Sequence, residues 1–237
     1  MNSTKSLVVV GAHCGDAEIQ AGAIAHKYAK AGWEVTFLHL TAGEKGNPTH
    51  MSVDEYRVQK IKESHQVAKL LGGSSITLNY KDAELVLSDE IITEVAKHMR
   101  RLRPDLVITH WEKSIHPDHM LCQQIVQAAQ LKTGLVGFEL DGLPPHYYPY
   151  FHSENWEDME EYVPDIYVDV TEEFETYLEA LSHYWFIMNS TSFRYYDYYQ
   201  ALGTMRGCLN RTKYAQTLKM ARGQNVRKGS HIPGFEI

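Results

Sequence analysis

The sequence predicts an α/β protein: a three-layer, Rossmann-like, mostly parallel sheet with helices on both faces. Three observations carry this reading. Short apolar, β-branched runs alternate with longer segments of helical periodicity. Glycine, proline and capping residues punctuate the boundaries between them. The 237 residues, 43% apolar and 22% charged, have globular composition and enough length for one such domain.

The elements follow in order. Leu7 to Val10 is a buried strand. Ala17 to Ala31 repeats small and apolar residues at helical spacing and stops at Gly32. "EVTFLHL" is a second strand, and "TAGEKGNPTHM" is a long loop. Asp54 to Leu71 is a helix whose apolar face is read as Val58, Ile61, Val67, Leu70 and Leu71, closed by Gly72 and Gly73. "SITLNY" is a strand, Ser88 caps the helix containing Ile91, Ile92 and Val95, "PDLVITH" is a strand, and Ile125 to Leu131 belongs to a further helix. "DIYVDVT" is read as a strand and Thr171 to Met188 as one helix capped by Thr171. A tyrosine-rich segment follows, and a basic tail from Lys219 to Ile237 reads as solvated or facing another subunit. The whole is read as one domain over 1–237, with a core at 1–131 and an extension at 132–237 packed on it.

Bulk properties exclude several classes. The net charge of -7 offers no basic field for phosphate backbones, so no nucleic-acid partner is expected. No apolar run approaches the ~20 residues of a membrane helix, and the first residues do not form a secretory signal, so a cytoplasmic protein is expected. Cys14, Cys122 and Cys208 form no CxxC pair and read as reduced thiols. The glycines Gly11, Gly15 and Gly22 do not have dinucleotide-fingerprint spacing. Abundant tyrosine, 15 residues, suggests a homo-oligomer.

Two clusters carry chemistry. His13 and Asp16 sit in the loop after the first strand, and "HPDH", His116 to His119, follows the strand ending at His110. Taken singly, a His-x-x-Asp pair can serve loop geometry, and "HPDH" can be a helix start with Pro117 in its first turn. Both lie on the carboxyl edge of one parallel sheet, where ligands gather. Two imidazoles and a carboxylate are a set that zinc takes with one position open for water, and that non-haem iron also accepts.

On these residues the sequence resembles the PIG-L/LmbE family of zinc-dependent N-deacetylases, which act on N-acetylglucosamine conjugates. The family's A-H-P-D-D motif stands here as "AHCGDAE", its T-x-G-E-x-G as "TAGEKG" and its H-P-D-H as His116 to His119. The likeness runs from Leu7 to Leu131 and more loosely beyond. It implies Zn2+, or another divalent metal such as Fe2+, on His13, Asp16 and His119. It implies His116 as an imidazolium facing the substrate carbonyl, Asp118 as the residue orienting it, and a small amino-sugar conjugate as substrate. Glu44 is expected to shape the loop at the pocket. Arg57, Lys60 and Arg206 are candidates for an anionic group of the substrate; the alternative in each case is a surface salt bridge, and it is the preferred reading for Lys60.

The sequence departs from the family pattern at Cys14, Ser114 and above all Gly15, where the family carries the aspartate that serves as general base. Glycine takes no proton, and loss of a general base commonly costs ~10²–10⁴-fold in rate. Glu18, Asp118, Glu44 or Glu112 could replace it, with Asp118 preferred; substrate or solvent could supply it; or the protein could be an impaired member that binds metal and a sugar-like ligand in a sensing or structural role. Cys14 as nucleophile or fourth ligand is the remaining alternative.

Overall fold

The computed structural model describes residues 4–155 and 160–221. Its centre is β1 (Ser6–His13), buried throughout. Odd residues Leu7 and Val9 join the core on one face, and even residues Val8 and Val10 join the core on the other, as the two-residue period of a strand requires. β2 (Glu34–Thr41) and β3 (Ser74–Tyr80) add in parallel on one side, and β4 (Leu106–His110) and β5 (Tyr150–Ser153) on the other. β7 (Ala215–Met220) runs antiparallel to β5, and β6 (Ile166–Asp169) closes the edge, giving the order β3-β2-β1-β4-β5-β7-β6. The expected mostly parallel sheet with helices on both faces is therefore the fold.

The chain runs outward from β1 through β2 to β3 and then returns to β4 on the far side. The strand order thus reverses between β1 and β4, and a crevice opens at their carboxyl ends. Helix α1 (Asp16–Lys30) leaves β1 through Gly15, and α4 (Pro117–Gly134) leaves β4 with His116 as its N-cap and Pro117 in its first turn. Both chemically loaded motifs are therefore strand-to-helix turns beside this reversal.

Helix α2 (Val53–Leu70) begins with a reciprocal capping box between Ser52 and Glu55, and Ser88 caps α3 (Asp89–Leu102) by accepting from Ile91 N. The predicted apolar face of α2 holds at Val67 and Leu71, which are buried, but not at Val58 and Leu70. Val58 is 69% and Leu70 40% exposed, while Tyr56, Lys60, Ser64, Val67 and Ala68 face inward. The single helix expected over Thr171 to Met188 is two, α5 (Phe174–Leu181) and α6 (Trp185–Asn189), broken at the buried Tyr184 in extended conformation. Thr171 does not cap: its hydroxyl donates to Asp169, and the N-cap residue is Glu173. The tyrosine-rich segment forms α7 (Tyr195–Asn210). Of the basic tail, Lys219 lies in β7 and Arg222 onward lies outside the described residues. No helix among the described residues is long and apolar enough to cross a membrane.

Candidate metal centre and its cavity

The turn after β1 folds back on itself because the Asp16 carboxylate accepts from His13 N at 2.8 Å. The same oxygen lies 2.9 Å from His13 Nδ1 and 3.3 Å from His119 Nε2. His13, Asp16 and His119 thus present three potential ligand atoms, all within 4.8 Å of one another, at the β1–β4 reversal. Two imidazole nitrogens and one carboxylate oxygen at this separation fit a four-coordinate zinc with an open position, and fit ferrous iron as well.

The remaining nitrogen of each ring is held. His13 Nε2 faces Asp82 Oδ1 at 3.1 Å and Asp118 Oδ2 at 3.3 Å. His119 Nδ1 faces Ser114 Oγ at 3.3 Å, and the His119 ring stacks on His110 at 4.1 Å between centroids. With Nδ1 of His13 and Nε2 of His119 turned toward Asp16, the opposite N–H of each donates outward, the arrangement that fixes tautomer and orientation of metal-binding histidines. The departure at Ser114 is absorbed here, because its hydroxyl serves His119 and also accepts from His116 N.

Charge is concentrated at this point. Burial opposes a charged His13, but Asp16, Asp118 and Asp82 outweigh it and hold the ring well above its ordinary value. Burial likewise opposes the Asp16 carboxylate, which His119 and His13 hold well below its ordinary range. His116 moves the other way: burial and the neighbouring His119 and His13 lower it. The imidazolium expected at His116 is thus disfavoured by its surroundings. Its Nδ1 accepts from Asp118 N at 3.2 Å, so the neutral ring carries its proton on Nε2.

The cluster forms the floor of a cavity of about 600 Å³. Cys14, Asp82, His116 and Lys60 line it, with Tyr56, Trp185 and Phe186 as its aromatic wall. Among the described residues, its carboxylates are Asp16 and Asp82. Asp82 was not anticipated from the sequence. The available signal was a carboxylate just beyond the third parallel strand, on the same edge as His13.

Arg57, expected at the substrate, does not line the cavity, and neither does Glu44, expected to shape the loop beside it. The Arg57 guanidinium bonds Glu44, Asn79 and the carbonyls of Leu78 and Tyr80. Glu44 in turn accepts from Asp82 N at 3.1 Å, and Asp82 accepts from Lys45 N at 2.9 Å. Their role in this geometry is to fix the loop that carries Asp82 behind His13. Arg206 is similarly committed, to Glu154, and does not line the cavity. Asp118 is buried, accepting from Ala83 N at 2.8 Å, and stands behind His13 rather than over the open side of the cluster. Glu18 is buried against His39 Nε2 at 3.0 Å, and neither it, Glu44 nor Glu112 lines the cavity. Burial opposes a charged His39, but Glu18 and Cys14 raise it to about 10; burial raises Cys14, but His39 and Lys60 bring it below the ordinary thiol value.

Gly15 explains the empty base position. Its φ of +108° lies in the region that favours glycine, and a Cβ there would stand 2.8 Å from the Phe186 ring. The volume a side chain would take at position 15 is thus occupied by an aromatic ring, with no carboxylate in its stead. Gly43, in the "TAGEKG" loop, allows close approach to the cluster, since its Cβ would stand 2.9 Å from His13 Cβ.

An Asp82→Asn substitution is expected to lower metal affinity about 10–100-fold by weakening the His13 Nε2–H contact, while leaving maximal metal stoichiometry unchanged. Competition against a chelator measures it; unaltered affinity would remove Asp82 from the support of His13.

Comparison with known proteins adds three findings. Residues 8–130 match the family model described as PIG-L, GlcNAc-PI de-N-acetylase. The diacetylchitobiose deacetylase of Thermococcus kodakarensis is 27% identical over 194 residues, 76% of this chain and 69% of its own; the 4-oxalmesaconate hydratase of Pseudomonas putida is 24% identical over 220 residues, 86% and 80% respectively. The crystal structure of the 4-carboxy-2-hydroxymuconate hydratase from Pseudomonas putida superposes with a TM-score of 0.86 at 21% identity, covering 96% of this chain and 100% of that one.

Proposed function

The chain belongs to the PIG-L family, and on that premise we propose that it is a metal-dependent N-deacylase that removes an acyl group, an N-acetyl in the simplest case, from a small amino-sugar conjugate. The observation that carries the reading is the His13–Asp16–His119 set at the floor of an open cavity. The deacetylase relative supports it.

A divalent ion on these three residues, Zn2+ or Fe2+, would lower the pKa of a water and polarise the amide carbonyl. The chain supplies the rest. Asp82, Asp118 and Ser114 hold His13 and His119 in the ligating tautomers. His116, neutral and fixed by Asp118 N, donates its Nε2–H toward the cavity, where it meets the oxygen that gains charge as the amide carbon becomes tetrahedral. A neutral donor suits a site next to a cation, because a nearby positive charge opposes a second one on the ring. Asp118 acts through His116 and His13, as a positioning residue.

The test is acetate release from a panel of N-acetylglucosamine conjugates by zinc-loaded and iron-loaded protein. Turnover is expected, and His116→Ala should lower kcat by about 10²–10³-fold with metal content unchanged. Metal bound without acetate release across the panel overturns the deacylase reading and favours the impaired, ligand-binding alternative.

A second reading, addition of water as in a hydratase, is favoured by one specific observation. Position 15 has no side chain to act as base on an amide, and Phe186 fills its place. The hydratase relative with the wider overlap supports it.

A further inference from the structure

Lys60 is the one lysine or arginine lining the cavity among the described residues. It lies on the inner side of α2, one turn beyond Tyr56, and is only 5% exposed. The sequence offers it as a candidate for an anionic group of the substrate, with a surface salt bridge as the preferred reading, but no ion pair or hydrogen bond from a described residue reaches its ammonium. Its contacts are with rings: Nζ lies 3.9 Å from the centroid of Phe186 and 5.6 Å from that of Tyr184. Buried lysines are ordinarily paired, because desolvating a cation without a counter-charge is costly. Burial draws this ammonium below the ordinary lysine value, against the longer-range attraction of Cys14, Asp16, Glu63 and Asp82.

Phe186 ties this cation to Gly15. The ring fills the space beside the glycine, and the same ring carries the ammonium on its face. The missing side chain at position 15 and the cation in the cavity are parts of one arrangement. Away from the metal-cluster end, where Asp16, Asp82 and the histidines lie, the polar lining is neutral, with Asn47, Thr49, Asn189 and Thr191. One cation among neutral donors matches a carboxylate, with its single charge. A phosphate dianion would call for a second cation.

We propose that Lys60 determines specificity by receiving a carboxylate of the substrate, so that the molecule processed at the His13–Asp16–His119 end of the cavity is an acid. Under the deacylase reading, on which the identity of the reacting group rests, the substrate is an N-acyl compound that also bears a carboxylate. The contact with Lys60 itself does not depend on turnover.

Calorimetric titration of the zinc-loaded protein tests this with N-acetylglycine, N-acetyl-β-alanine and N-acetyl-4-aminobutyrate, each against its neutral primary amide. At least one acid is expected to bind about 10-fold more tightly than its amide or better, with the preference shrinking as salt rises. The preference should vanish in Lys60→Met and persist largely in Lys60→Arg; Lys60→Gln replaces the methionine variant if circular dichroism shows the latter unfolded. Equal binding of every acid and amide to the wild-type protein, absence of binding included, overturns the proposal. So does a preference undiminished without the ammonium, which would place the carboxylate on the metal. Acids that bind with a Lys60-dependent preference yet release no acetate sustain the Lys60 assignment and count against the deacylase reading instead.

Discussion

Replacing His13 with alanine is expected to abolish stoichiometric metal binding and, with it, the acetate release that the deacylase reading predicts. His13 is the residue on which the centre converges: Nδ1 faces Asp16, and Nε2 faces Asp82 and Asp118. Alanine removes one of the three proposed ligands and leaves two, which do not make a structural or catalytic zinc site. It also leaves three buried carboxylates around a vacated ring position, with no shared cation. The metal-free variant is therefore expected to melt below the metal-free wild type. The pH dependence of that gap has a definite sign. Asp16, Asp118 and Asp82 hold the folded pKa of His13 above the ordinary imidazole value of about 6.5, so its stabilising contribution is complete below about pH 6.5 and is lost as pH rises through the raised value. Metal binding must displace the same proton, so the wild type should release protons on metal uptake and bind metal less well as pH falls. Elemental analysis after equilibration with zinc, and melts across pH, measure these. A His13→Ala protein that keeps its metal removes His13 from the ligand set.

The sequence reveals local features far better than tertiary ones. His13, Asp16 and His119 are legible because each lies in a short motif on a strand-to-helix turn, and the alternation of elements puts both turns on one edge. Asp82 is not, because only folding brings its loop against His13; Lys60 stands out in the sequence as a cation, but only the fold buries it in the cavity wall. The inner side of α2 is only partly legible, at Val67 and Leu71, for a related reason. Its inner side meets the polar cavity at Lys60 and the Ser75 hydroxyl at Ser64, so apolar Val58 points outward. β5 is four residues long and β7, "AQTLKM", lacks an alternating pattern, so neither stands out from a single sequence. The charges at Glu44 and Arg57 look available in the sequence, but the fold spends them on each other and on the Asp82 loop.

Gly15→Asp, the change that writes the family's base into this chain, is expected to destabilise the protein by about 3–5 kcal/mol and to leave it no better as a hydrolase. Three costs add. A side chain must adopt φ near +108°, its Cβ meets the Phe186 ring at 2.8 Å, and a carboxylate enters a buried turn beside Asp16. The steric part belongs to the pair of positions and not to Gly15 alone. In Gly15→Asp/Phe186→Ala, about 1–3 kcal/mol of the penalty should therefore disappear as coupling in a double-mutant cycle, while the backbone strain remains. Urea unfolding of the four proteins measures it, and additive penalties would show that the ring does not hold that space. The double variant also separates chemistry from stability. Acetate release that rises in it, after stability is accounted for, means the native cavity runs without a base at this position; release that stays low means that Phe186, with Lys60 on its face, belongs to the site and cannot be exchanged for a carboxylate. Loss of the ring should also loosen Lys60, so a rise in acetate release is expected to come with a smaller preference for acids over their amides.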